Sequence, residues 1–274
     1  YPYIVAEGIR TPVIIVPGIM GTRLNRVSDG EEVWPNTEEM RRIFNDGDVY
    51  LNQLRLDSDG KEFNNLDIDP TAVIDEEFGQ EFYVGLTNNL LDNGYVFGTT
   101  LFTVPYDWRL SLTDEIERID IVVRQAASSS PNGKVNIIGH SMGGILVKEY
   151  LRSATTSLIN KLTFVGTPHL GAPKAFKALN YGDNMGFEIP VIGFDILNSD
   201  RVKIISENMP GVYELLPSRR YVDINGGYVK DFRDDVEILG FDQTRQFMLS
   251  DPSDSRNPLL LNVADNFHQV LDNQ

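Results

Sequence analysis

The chain predicts an α/β fold: a mostly parallel sheet with helices on both faces and an inserted cap. Three observations carry that prediction. Short apolar or β-branched runs alternate with amphipathic helical stretches through residue 168. One of these runs, Val135-Asn136-Ile137-Ile138, leads directly into Gly139-His140-Ser141-Met142-Gly143. The alternation then stops after Gly166-Thr167-Pro168. Periods of two and of 3.6 taking turns in this way are the pattern of βαβ units.

The elements follow in order. Thr11-Pro12-Val13-Ile14-Ile15-Val16 closes on Pro17-Gly18, which reads as a buried strand ending in a tight loop. From about Asp29 to Asp75 the chain is rich in Asp, Asn and Gly, with Val33-Trp34-Pro35 and Val49-Tyr50-Leu51 as islands, and reads as a long excursion from the core. Phe82, Val84, Leu86, Leu90 and Leu91 fit a helix over 81–91 that ends at Asn93-Gly94, and Leu101-Phe102-Thr103-Val104-Pro105 is the next strand. A helix from about Thr113 to Ala127, a strand over 134–138, a helix with Ile145, Leu146, Val147, Tyr150 and Leu151, and the strand Leu162-Thr163-Phe164-Val165 complete the series. Residues 1–168 are therefore assigned to the core, with its excursion at about 29–75. Residues 169–274, with short irregular apolar clusters, are assigned to a cap or lid.

Composition narrows the function classes. With Lys+Arg 24 against Asp+Glu 40, the net charge of -16 repels nucleic acid phosphates, and nucleic acid is excluded as a partner. The absence of cysteine removes disulfides, thiolate catalysis and cysteine metal sites. No apolar run is long enough to cross a bilayer, so the chain reads as soluble, and secretion is compatible with that. Tyr1 in place of Met points to a processed or excised product. No cofactor or metal is expected. Asn45-Asp46-Gly47-Asp48 and Asp57-Ser58-Asp59-Gly60 lack the full alternating ligand set and closing glutamate of a calcium loop, and they read as acidic turns.

Gly139 to Gly143 fits G-x-S-x-G, in which two glycines let a strand turn sharply into a helix with the serine at the tip. Ser141 is the candidate nucleophile. A serine hydroxyl is a poor nucleophile at neutral pH, so it needs a base oriented by an acid, and donors for the tetrahedral oxyanion. Those donors are expected from the backbone N–H of Met142, the residue after the nucleophile, and of Ile19, in the loop after the first strand.

Several motifs stand in order along the chain: Pro12 to Gly21, Pro105-Tyr106-Asp107-Trp108-Arg109, the elbow, and Gly166-Thr167-Pro168-His169-Leu170-Gly171-Ala172-Pro173. Together they resemble the lecithin:cholesterol acyltransferase family, and the likeness continues through Leu215-Leu216-Pro217-Ser218 and weakly through Gly227 to Phe232. The resemblance implies an α/β-hydrolase fold, a lipid or other ester as substrate, and the same three site positions, Ser141, Ile19 and Met142. It also implies that Tyr106, Asp107, Trp108 and Arg109 form a buried, ion-paired brace, in keeping with the fork of donors that arginine offers a carboxylate.

The base is harder to place. His140, His169 and His268 are the three histidines, and this fold class puts the catalytic one last, after the acid. His140 is expected to point away from the nucleophile's hydroxyl, and His169 follows a strand without supplying the base. His268, in Ala264-Asp265-Asn266-Phe267-His268-Gln269-Val270-Leu271, reads as a surface residue of a helix. The family's Gly-Asp-Gly-Thr-like acid segment and late histidine are missing, so the late core strands are expected to be missing too. Four explanations stay open: a shortened chain, complementation by a second chain, recruitment of His268 with Asp242 or Asp265, or a non-catalytic module that binds a lipid or a partner. Residues 184–199 are notably apolar and read either as a lid that meets a lipid interface transiently or as a cap segment packed onto the core.

Overall fold

The computed structural model describes residues 10–36, 49–63, 66–77, 79–153, 156–183, 199–233, 237–251 and 256–272. The chain opens with β1 (Val13–Val16), followed by β2 (Thr22–Arg26), β3 (Glu32–Trp34), a 3-10 turn over Val49–Leu54, β4 (Ile68–Val73), β5 (Glu76–Glu77) and β6 (Gln80–Glu81). The helix α1 (Val84–Asp92), β7 (Leu101–Thr103), α2 (Ile116–Ser128), β8 (Val135–His140), α3 (Met142–Ser153) and β9 (Ile159–Val165) then alternate as the sequence predicts. The remainder is α4 (Pro173–Tyr181), α5 (Ser199–Ser206), α6 (Pro210–Tyr213), α7 (Arg219–Asn225), the hairpin β10 (Val229–Asp231) and β11 (Glu237–Leu239), α8 (Phe241–Leu249) and α9 (Pro258–Leu271).

Contacts gather into two compact units: Tyr1–Arg23, Pro70–Tyr106 and Thr113–Thr167 form one, and Leu24–Asp69, Asp107–Leu112 and Pro168–Gln274 the other. In the first, β7, β1, β8 and β9 lie side by side, every pair parallel. All four β1 residues are buried, which is the lot of a strand bonded on both sides. Helix α2 buries Ile119, Val123, Ala126 and Ala127, a stripe at helical spacing. The sheet register pairs Val16 with Gly139. The loop after β1 and the turn after β8 therefore emerge together at the carboxyl ends of neighbouring strands, where parallel sheets place their sites.

The second unit is more regular than its composition suggests. Within the excursion, Leu24 pairs with Trp34 across β2 and β3, and the Trp34 and Trp108 rings meet edge to face at 5.7 Å. The stretch after residue 168, read as irregular, is mostly helical among the described residues. Two of its motifs clasp each other. Ala172 N–H donates to Leu215 O at 2.7 Å, Ser218 N–H donates to Leu170 O at 2.9 Å, and Gly171, at φ 89°, has no room for a side chain beside Leu216 and Pro217. Ser218 also caps α7 by accepting the Tyr221 N–H. The apolar lid segment over 184–198 and Asn45 to Asp48 lie outside the described residues.

Candidate active site

The elbow has the geometry that G-x-S-x-G requires. Ser141 sits between β8 and α3 at φ 50°, one of two described non-glycine residues with positive φ. That conformation costs about 1–3 kcal/mol and persists only where the surroundings hold it. Here they do: Ser141 N–H donates to Val165 O at 2.9 Å, and Ser141 O accepts the Gly144 N–H at 3.0 Å. The glycines make the turn possible. A Cβ on Gly139 would lie 2.8 Å from Gly144 Cα, and one on Gly143 would overlap the carbonyl oxygens of Val16 and Pro17. Gly144, which the pentapeptide does not include, is equally constrained, because a Cβ there would overlap Thr167 Oγ1.

The loop after β1 presses on the nucleophile. A Cβ on Gly18 would lie 3.0 Å from Ser141 Cβ. Gly21 N–H closes a turn onto Gly18 O at 3.1 Å, and Met20 holds φ 62° at the third position of that turn, where a glycine is usual. Ile19 N–H donates none of the described hydrogen bonds. Met142 opens α3, and its N–H is one of the four that a helix leaves without an intrahelical partner. The two expected oxyanion donors therefore stand on the two backbone turns that meet at Ser141.

Tyr83, which the sequence did not single out, joins these turns. Its hydroxyl oxygen accepts the Gly18 N–H at 2.7 Å and lies 2.7 Å from His140 Nδ1. Burial pushes the phenol up to about 12 and pushes His140 below the ordinary histidine range. No local pattern marks Tyr83. It precedes a helix expected to begin at Glu81 that in fact begins at Val84, with Phe82 and Leu91 exposed.

The second unit holds the remaining candidates. Arg109 is fully buried, with Nε 3.0 Å and Nη2 2.6 Å from the two Asp107 oxygens, and Nη2 also meets Glu62. This is the Asp107–Arg109 part of the brace that the resemblance implies, joined by Glu62, while the Tyr106 hydroxyl is buried without a hydrogen-bond partner. Asp57 Oδ1 accepts the N–H groups of Asp59 and Lys61, both at 2.9 Å, so that carboxylate ties an acidic turn. His169 is exposed.

His268 corrects the sequence reading. It is 2% exposed, with Nε2 2.8 Å from Glu214 O and Nδ1 buried without a hydrogen-bond partner. The physical reason lies in its own helix, since Ala264, Phe267, His268 and Leu271 fall on one face and all are buried. The two acids considered for it are engaged elsewhere. Arg245 Nη2 lies 2.7 Å from Asp265 Oδ1, and Arg219 Nη2 lies 2.5 Å from Asp242 Oδ1.

Comparison with known proteins places these features in context. A family model described as lecithin:cholesterol acyltransferase matches residues 63–253. The chain is 29% identical over 214 residues to the phosphatidylcholine-sterol acyltransferase of Mus musculus, covering 65% of this chain and 48% of the relative. It is 26% identical over 286 residues to the lysosomal phospholipase A and acyltransferase of Canis lupus familiaris, covering 85% of this chain and 66% of the relative. The chain thus spans about half the length of several of the curated relatives it matches. Among solved structures, the Tle4-Tli4 complex aligns with a TM-score of 0.56 at 16% identity, over 96% of this chain and 72% of that one. That likeness and the parallel sheet show an α/β-hydrolase-like fold.

Proposed function

The chain belongs to the lecithin:cholesterol acyltransferase family, and from that premise we propose that it carries the nucleophile and oxyanion half of a serine-dependent lipid acyltransferase or phospholipase. Ser141 Oγ attacks the carbonyl carbon of a lipid ester, and its proton passes to a base. The resulting oxyanion is held by the N–H groups of Ile19 and Met142. Collapse breaks the bond to the leaving alcohol, which takes up a proton, and leaves an acyl-enzyme. Water or a second alcohol then attacks the acyl-enzyme carbonyl and releases Ser141, giving hydrolysis or transfer respectively.

One observation carries this reading: Ser141 is held at φ 50° between β8 and α3, with Gly18 packed against its Cβ. Strain of this kind at a non-glycine residue clusters at functional sites, which supports the reading. The reading keeps residues 1–168 as the catalytic core and 169–274 as a cap, and it takes the acid and base from outside the described residues. A fluorophosphonate probe tests it. In the full-length protein the probe should form one adduct, on the peptide containing Ser141, and Ser141→Ala should abolish it. An adduct elsewhere, or none, sinks the assignment.

A second reading, a lipid- or partner-binding module without catalysis, is favoured by the engagement of His140 with Tyr83 and of His268 with Glu214. It predicts that the full-length protein binds phosphatidylcholine vesicles while leaving both the lipid ester and the fluorophosphonate unreacted.

A further inference from the structure

The Tyr83 phenol bridges the loop after β1 and the elbow. A phenol has one proton to give and lone pairs to receive. Gly18 N–H can only donate, so it takes a lone pair. His140 Nδ1 is the other described hydrogen-bond partner of the oxygen, and directing the phenol proton at Nδ1 is the assignment that uses both the donor and the acceptor capacity of the hydroxyl. In that assignment Nδ1 accepts, and the proton of the neutral ring sits on Nε2. The bridge is also held from behind. Tyr83 N–H donates to Asp75 O at 3.0 Å, Thr87 Oγ1 donates to Asp75 Oδ1 at 2.9 Å, and the neighbouring Ile74 N–H donates to Gly21 O at 2.9 Å. Residues 74 and 75 thus anchor both the base of the tyrosine and the far end of the loop.

We propose that Tyr83 is a positioning residue for acyl transfer at Ser141, holding the Pro17 to Gly21 loop so that Ile19 N–H faces the developing oxyanion. This rests on the reading of Ser141 as the nucleophile. The phenol occupies the Gly18 N–H, which would otherwise compete as a donor beside Ser141. Its tether to His140 fixes the loop to the residue before the nucleophile. The space is built for it. A Cβ on Gly18 would lie 3.1 Å from His140 Nδ1, and one on Gly21 3.3 Å from the Tyr83 oxygen, so side chains at either position crowd the bridge. His140 acts in this arrangement as an anchor, and Tyr83 acts through the backbone it holds.

The test uses the full-length protein and the hydrolysis of 4-nitrophenyl butyrate. Tyr83→Phe keeps the ring and removes the bridge; kcat should fall by about tenfold to a hundredfold with KM within about twofold, because oxyanion donors act in the transition state. His140→Ala should match it. His140→Asn, whose amide oxygen sits near the place of Nδ1, should recover most of that loss. The double variant Tyr83→Phe/His140→Ala should be no worse than either single one, since both cut the same tether. A wild-type kcat in Tyr83→Phe, or losses that multiply in the double variant, overturns the proposal. If Tyr83→Phe fails to fold, the two His140 variants decide, and equal rates for alanine and asparagine overturn it. Ser141→Ala separates the two levels: a retained rate there removes the nucleophile assignment itself, whereas its loss alongside an unaffected Tyr83→Phe removes only the bridge.

Discussion

Two strands of one sheet have opposite surroundings. In β1, Ile14 and Val16 are fully buried, whereas in β9, two places along the same sheet, Phe164 is 37% and Val165 47% exposed. Both strands carry β-branched and apolar residues, with Asn160, Lys161 and Thr163 interspersed in β9. Pairing differs as well: β1 is bonded on both sides, to β7 and β8, whereas among the described residues β9 is bonded only to β8. The lesson is that side-chain type nominates a strand for a sheet and what covers the strand decides its burial, since β7, also bonded to one neighbour among the described residues, buries Leu101 and Phe102. An apolar strand with one open edge is also a template for further pairing. Ser141 stands between these extremes, at the end of β8, the strand that lies between β1 and β9.

Substitutions measure the contrast. Ile14→Ala should cost about 2–5 kcal/mol in urea unfolding, as expected for a large-to-small change at a fully buried site. If it costs no more than Phe164→Ser, the contrast between the strands is wrong. Gly143→Ala, which drives a methyl group into the carbonyls of Val16 and Pro17, should cost about 1–3 kcal/mol and abolish probe labelling of Ser141.

Burial also separates titratable groups. Burial pushes the His268 pKa down, against the opposing charge of Asp272. Between that lowered value and the ordinary histidine range the unfolded chain binds more protons than the folded one, so stability rises with pH across that window. The folded protein should therefore lose melting temperature as pH falls below about 6.5. His268→Gln should flatten that slope, whereas Asp242, exposed and lowered by its hydrogen bond to Arg219, acts only near the carboxylate range. An unchanged slope in His268→Gln would contradict the buried, neutral assignment.

Smaller effects sharpen the picture further. Ser141→Gly relieves the positive φ and should raise stability by about 0.5–1 kcal/mol while removing the nucleophile. A loss of stability would show that the turn is held without strain. Phe164→Ser on the open strand should move stability by less than about 0.5 kcal/mol, and it should lower concentration-dependent association in light scattering.

Much of the first unit was legible because local chemistry and global position agree there. Val13-Ile14-Ile15-Val16 has one plausible state, and the elbow glycines are demanded by backbone contacts that a sequence pattern encodes. Tyr83 was not legible, because its partners, Gly18 and His140, are remote in sequence and no periodicity marks it. His268 was misread for the opposite reason. Its type suggested the surface while its spacing from Ala264 and Leu271 already placed it on the buried face. The cap looked irregular because its helices are short and take part of their stability from clasps such as Ala172 to Leu215, which no window of sequence reveals.

The pairing of Val16 with Gly139 also has a consequence in time. Every residue of the first unit precedes Pro168, so the ribosome releases all of it before most of the second unit. Once β8 and then β9 have docked beside β1, so that Val165 O receives the Ser141 N–H, the strained serine and both of its backbone donors can be in place on a nascent chain. During that interval β9 is the newest strand, and among the described residues β8 is its one bonded neighbour. Phe164 and Val165 of that strand then face solvent at the moment when the reactive end of the sheet is already formed.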